Sequence, residues 1–154
     1  MIGSVRDFSP LWPNSGEALY TSLTAMGGDG HSVTAPLPGP DEITLAAVEV
    51  KNGGVIEDAQ WNKVTVPPHT SLNVATTGPA TLIAVWVGDS GAPSVTASPN
   101  NGFTIIDSQL LANCEVEAVV ATKDVFAAGI HNVTWTATPV QGSHMWLVAV
   151  QNRR

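Results

Sequence analysis

The sequence predicts an all-β fold: an antiparallel β-sandwich, jelly-roll-like, behind an irregular Pro/Gly-rich N-terminal arm. Three observations predict it. Short runs rich in Val, Ile, Thr and Trp recur along residues 41–154. Gly, Pro and Asn turns separate them at the spacing of sandwiches and barrels. No long segment sustains the 3.6-residue apolar period of a helix. Roughly eight to ten short strands follow, and their closeness in sequence favours antiparallel pairing.

Residues 1–40 form the lead-in. Turn formers crowd it, from Pro10 and Pro13 to Gly27, Gly28, Gly30, Pro36, Pro38, Gly39 and Pro40. Two strand-like pieces interrupt them, Glu17–Ala25 and His31–Ala35. Glu17–Met26 also carries Leu19, Leu23 and Met26 at helical spacing, so helix and strand both stay open there. Residues 41–154 form the predicted sandwich. Ile43–Lys51 is β-rich and stops at Asn52–Gly53–Gly54, a strong turn signal. Trp61–Val66 ends at Pro67–Pro68, and Leu72–Thr76 at Gly78–Pro79. Thr81–Gly88 is apolar on both faces, which predicts a central strand. Ser94–Ala97 reads as a short edge piece. Asn101–Gly102 turns the chain into Phe103–Asp107. Glu115–Lys123 and His131–Thr138 alternate, the latter with Val133, Trp135 and Ala137 on one face. Met145–Gln151 closes the fold.

Composition narrows the function. Charged residues are 12% of the chain, about half the usual share. A surface so poor in charge suits association with other protein. The net charge is −7, and only six Lys and Arg are present. A phosphate-tracking groove needs convergent cations, so neither nucleic acid nor an anionic membrane is an expected partner. The longest apolar run, Leu82–Val87, is far shorter than the ~20 residues of a membrane helix. The stretch MIGSVRDFSPLWPNSG has no basic n-region and no apolar h-region, which predicts no signal peptide. Cys114 is the single cysteine, so no internal disulfide can hold the fold. The sequon Asn132–Val133–Thr134 falls inside a predicted strand.

Chemistry-bearing motifs are few. Gly88–Asp89–Ser90–Gly91–Ala92–Pro93 resembles the segment around the nucleophile of chymotrypsin-like serine proteases. That chemistry needs a His base and an Asp orienter. His31 or His69, with Asp41 or Asp58, could supply the order, but neither His has the sequence context of that family. Asp-Ser-Gly after a strand is also an ordinary turn. Glu115 and Glu117 share one strand face, as paired acids of a glycosidase could, but such spacing is expected of a solvated face. His31, His69, His131 and His144 show no zinc-ligand spacing. Asp29, alone among glycines, makes no calcium loop. The reading is therefore no enzyme, no catalytic residue, no metal and no cofactor.

Five of the nine aromatic residues are Trp. Trp86 and Trp135 lie in apolar strands and are expected in the core. Trp12, Trp61 and Trp146 are the candidate interface or glycan contacts, because Trp anchors interfaces and stacks on sugars.

From Val64 onward the order of features is familiar. Val64–Thr65–Val66–Pro67–Pro68–His69–Thr70 precedes the apolar strand TLIAVWVGD. A polar loop follows, then Asn101–Gly102–Phe103–Thr104–Ile105–Ile106–Asp107–Ser108, VEAVVATKDV, NVTWTAT and MWLVAV. Residues 64–150 resemble a recurrent β-sandwich module of tailed-bacteriophage virions, found in head-decoration, tail and fibre proteins. In that module a Pro-Gly-Trp-Thr-like turn opens a strand, and Asn101–Gly102–Phe103–Thr104 takes its place here. The resemblance implies a non-enzymatic virion component that packs against copies of itself, as a trimer for example, and against other virion proteins. The alternative expectation is a carbohydrate- or receptor-binding module that meets a cell-surface glycan.

Overall fold

In the computed structural model, residues 3–7, 15–23, 29–30, 32–36, 43–112 and 116–152 are described. The chain divides into two units, Met1–Ser32 and Val33–Arg154. In the first, β1 (Gly3–Asp7) pairs antiparallel with β2 (Ser15–Leu19), Gly3 opposite Leu19. The described part of Glu17–Met26 is thus strand where it is regular. The predicted piece at His31–Ala35 has no strand over 32–35.

The second unit is an antiparallel β-sandwich. Among the described residues its strands are β3 (Gly53–Val64), β4 (His69–Thr70), β5 (Val74–Thr76), β6 (Ala80–Gly88), β7 (Thr96–Pro99), β8 (Thr104–Gln109), β9 (Glu117–Val125), β10 (Gly129–His131), β11 (Thr134–Thr138) and β12 (Ser143–Asn152). One sheet runs β3-β12-β6-β9-β8, a second β4-β11-β7, and β10 pairs with β5. The predicted central strand is central: β6 lies third of five.

The pleat decides which side chains form the core. Leu82, Ala84 and Trp86 of β6 face inward with Met145, Leu147 and Ala149 of β12 and Val119 and Ala121 of β9. Ala97, Trp135 and Ala137 meet them from the smaller sheet, with Val74 and Val133. The turn into β8 uses a left-handed pair, Asn101 at φ 55° and Gly102 at φ 77°, the backbone that Asn-Gly adopts most readily.

The outer face of the large sheet is apolar as well. Trp146, Val148 and Val150 on β12, and Ala118 and Val120 on β9, are buried there. Both faces of the central strands therefore read alike in sequence.

Two further predicted strands are corrected. Ile43–Lys51 has strand composition, yet 43–50 joins no ladder. Its ends are fastened elsewhere: Thr44 Oγ1 donates to Val116 O at 2.8 Å, and Val50 O accepts from Gly53 N at 3.0 Å. Val116 precedes β9, while Val50 sits beside Gly53 and Val150 at the opposite end of the sheet. A segment held at those two points crosses strands instead of lying alongside one. His131–Thr138 is the second correction. It breaks at Asn132–Val133, sending β10 to β5 and β11 to the three-stranded sheet. Asn132 is therefore in the break, where its side-chain amide donates to Asn73 Oδ1 at 3.0 Å.

The two edges of the large sheet differ. Side chains of β3 capture backbone groups of 70–77. Asn62 donates to Thr70 O at 2.9 Å, Asp58 accepts from Ala75 N at 2.9 Å, and Glu57 accepts from Thr77 N at 2.7 Å. Burial pushes the Asp58 carboxyl up. Hydrogen bonds from Ala75, Gln60 and Ala59 outweigh that and hold it below its ordinary value. At the other edge, all six residues of β8 are exposed.

Candidate functional site: a polar cluster at one end of the sandwich

The strands place a buried carboxylate at one end of the core. Glu117 shares the parity of Val119 and Ala121, so it points inward, opposite Gly88. It is 0% exposed. The expectation of a solvated face for Glu117 is thus corrected: with apolar residues on both faces of β9, alternation could not say which face carries the acid. Glu115 lies outside the described residues.

Neutral donors surround this carboxylate. Ser90 Oγ donates to Glu117 Oε1 at 2.9 Å. Gln141 Nε2 donates to Glu117 Oε2 at 3.0 Å. Gln141 Oε1 in turn accepts from the Asp89 N–H at 2.6 Å. That bond fixes the amide orientation, because a backbone N–H can donate only to the oxygen. The Ala92 N–H donates to Ser90 Oγ at 3.2 Å. The Gly-Asp-Ser-Gly turn therefore wraps the carboxylate rather than presenting Ser90 to a histidine. Gly88 is required for contact: a Cβ there would stand 2.3 Å from Trp86 Cη2 and 3.0 Å from Gln141 Cδ.

A second polar pair is buried in the same half of the fold. His69 on β4 pairs through Nδ1 with Ser143 Oγ on β12 at 2.9 Å. His69 Nε2 is buried with no hydrogen-bond partner. His69 also helps line a groove of about 290 Å³, with Pro67, Pro68, Trp135, Ala137 and Val140. The residues that sequence order could offer as a triad thus have other partners. Ser90 holds Glu117, His69 holds Ser143, and Asp58 holds Ala75 and Gln60. His31 and Asp41 lie outside the described residues, as does Cys114. Among the described residues no three His, Cys, Asp or Glu gather as for a metal ion, and no helix is long and apolar enough to cross a membrane.

Burial pushes the His69 imidazole below its ordinary value. His131 moves the same way, by burial and then by the Lys123 charge. A histidine held neutral in the fold stabilises it fully above the unfolded value of about 6.5. That stability is lost as pH falls below 6.5, because the unfolded chain then binds more protons. Thermal melts should therefore show a falling midpoint from pH 7.5 to 5. His69→Asn should flatten that slope; an unchanged slope would rule His69 out as its source.

The three candidate tryptophans separate. Trp146 is 7% exposed, so its own chain covers both ring faces. Trp61, opposite it on β3, is half-buried and meets His144 edge-on, with ring centroids 5.6 Å apart. Trp12 lies outside the described residues. Compared with family models, curated proteins and solved structures, the chain matches none.

Proposed function

We propose that the chain is a non-enzymatic structural component of a virion, in the head or tail, acting by association with copies of itself and with other virion proteins. The β8 edge, unpaired among the described residues, carries this reading. Ile105 and Ile106 are exposed there, and Ile106 is 50% exposed at a register shift between Ile105 and Asp107. An apolar edge strand is a template for pairing with another chain unless something covers it. Phe126, 85% exposed, and Ile130 add apolar surface beyond the end of β9. The low charge and the resemblance over residues 64–150 support the same reading. A glycan-binding module needs an open aromatic platform, and Trp146 offers none.

Ile106→Lys tests the edge. The residue is exposed, so its replacement leaves folding within about 0.5 kcal/mol. In sedimentation velocity the variant should shift toward the single-chain species at concentrations where the native chain associates. Identical distributions for both would take β8 out of the interface.

A further inference from the structure

The Ser90–Glu117–Gln141 cluster has the parts of an acyl-transfer site whose substrate is the protein itself. The geometry points to an intramolecular ester between Ser90 Oγ and Gln141 Cδ, formed once per chain with loss of ammonia. This inference stands apart from the virion reading, since it uses only the Ser90–Glu117–Gln141 cluster.

Each required role has an occupant. The nucleophile is Ser90 Oγ, whose hydrogen bond to Glu117 Oε1 points its proton at the base. The electrophile is the Gln141 carboxamide. Its Cδ packs against Gly88, and its oxygen is docked on the Asp89 N–H, the residue just before the nucleophile. That N–H aims at the oxygen on which charge develops during attack, as an oxyanion donor does. The leaving nitrogen, Gln141 Nε2, already touches the other oxygen of the same carboxylate. Glu117 therefore takes the serine proton at Oε1 as a general base and, after half a turn of its carboxyl group brings that oxygen to the leaving nitrogen, gives the proton up as a general acid. The Ala92 N–H steadies the oxygen as it loses its proton.

The step balances without a further reagent. Ser90 Oγ forms a bond to Cδ, the Cδ–Nε2 bond breaks, and the serine proton leaves on nitrogen as ammonia. Glu117 itself is fully buried, which keeps water off the carboxylate, while Ser90 and Gln141 are half-buried. Both partners belong to one chain and share one carboxylate, which makes the reaction unimolecular. The product would clip the loop after β6 to the loop before β12, in a chain that has no disulfide.

Intact-mass spectrometry of the full chain, followed by peptide mapping, tests the ester. The native chain should be lighter than its sequence mass by one ammonia, about 17 Da. The peptide containing Ser90 should remain joined to that containing Gln141. Ser90→Ala and Glu117→Gln should each show the full mass expected of their sequences. A native chain at full sequence mass after prolonged incubation at neutral pH would overturn the proposal. So would a loss of the same mass that persists in Ser90→Ala, or that maps to Asn52–Gly53 or Asn101–Gly102, where cyclisation of asparagine also releases ammonia.

Discussion

Trp86→Ala should lower stability by about 3–5 kcal/mol, the usual cost of emptying a large aromatic site in a packed core. Trp86 is 0% exposed and is the largest fully buried side chain described. It stands on the central strand, flanked on its own face by Met145 of β12 and Val119 of β9. Opposite lie residues of the smaller sheet, so its removal opens a void that neither layer can close alone. Such a loss is a large fraction of the ~5–15 kcal/mol by which domains are stable. For a chain of this size it corresponds to a melting point lower by roughly 6–20 °C. Denaturant unfolding should show a lower midpoint with a similar slope. A midpoint within error of the native chain would mean that the ring does not bridge the two sheets.

Among the described glycines of the sandwich, Gly88→Ala should be the most damaging change to alanine. The new Cβ would lie 2.3 Å from Trp86 Cη2 and 2.8 Å from Cζ2. The ring cannot swing away, because it is buried on every side. Overpacking of this kind costs about 1–3 kcal/mol and occasionally more. Most of the clash comes from the ring, with Gln141 Cδ at 3.0 Å a smaller second contact, so it should shrink when the ring is gone. In the Trp86→Ala background, Gly88→Ala should cost clearly less than in the native chain, leaving a coupling of about 1–3 kcal/mol in the double-mutant cycle. Additive costs would place the origin of the Gly88 requirement elsewhere, in Gln141 or in the turn that follows.

These two positions also show what sequence patterning can carry. Thr81–Gly88 announced a central strand through apolar residues on both faces, and the turn at Asn101–Gly102 announced itself through residues suited to left-handed backbone. Trp86 and Trp135 were legible as core for the same reason. The end cluster was not. Glu117 lies on a strand whose two faces are equally apolar, so period-two alternation assigns it to neither. Its partners, Ser90 and Gln141, come from two loops far apart in sequence. The pairing of His69 with Ser143 likewise depends on two sheets meeting. Ile43–Lys51 misled because strand composition reports a fit to a half-buried extended path, not the presence of a ladder partner. His131–Thr138 misled because alternation continues through a break at which the chain changes sheets. Trp146 reads as a contact candidate yet is buried, for the reason that hides Glu117: both faces of its strand are apolar.

The account rests on association. A sandwich with apolar residues along an open edge, few charges and a polar cluster turned inward is expected to meet other chains through its surface. Light scattering coupled to size separation, run on the full chain over a range of concentrations, tests this most directly. The account predicts a discrete species at a small multiple of the single-chain mass, three for a trimer, that dissociates on dilution or on Ile106→Lys. A single-chain mass at every concentration, from protein that also fails to bind any virion particle, would contradict it.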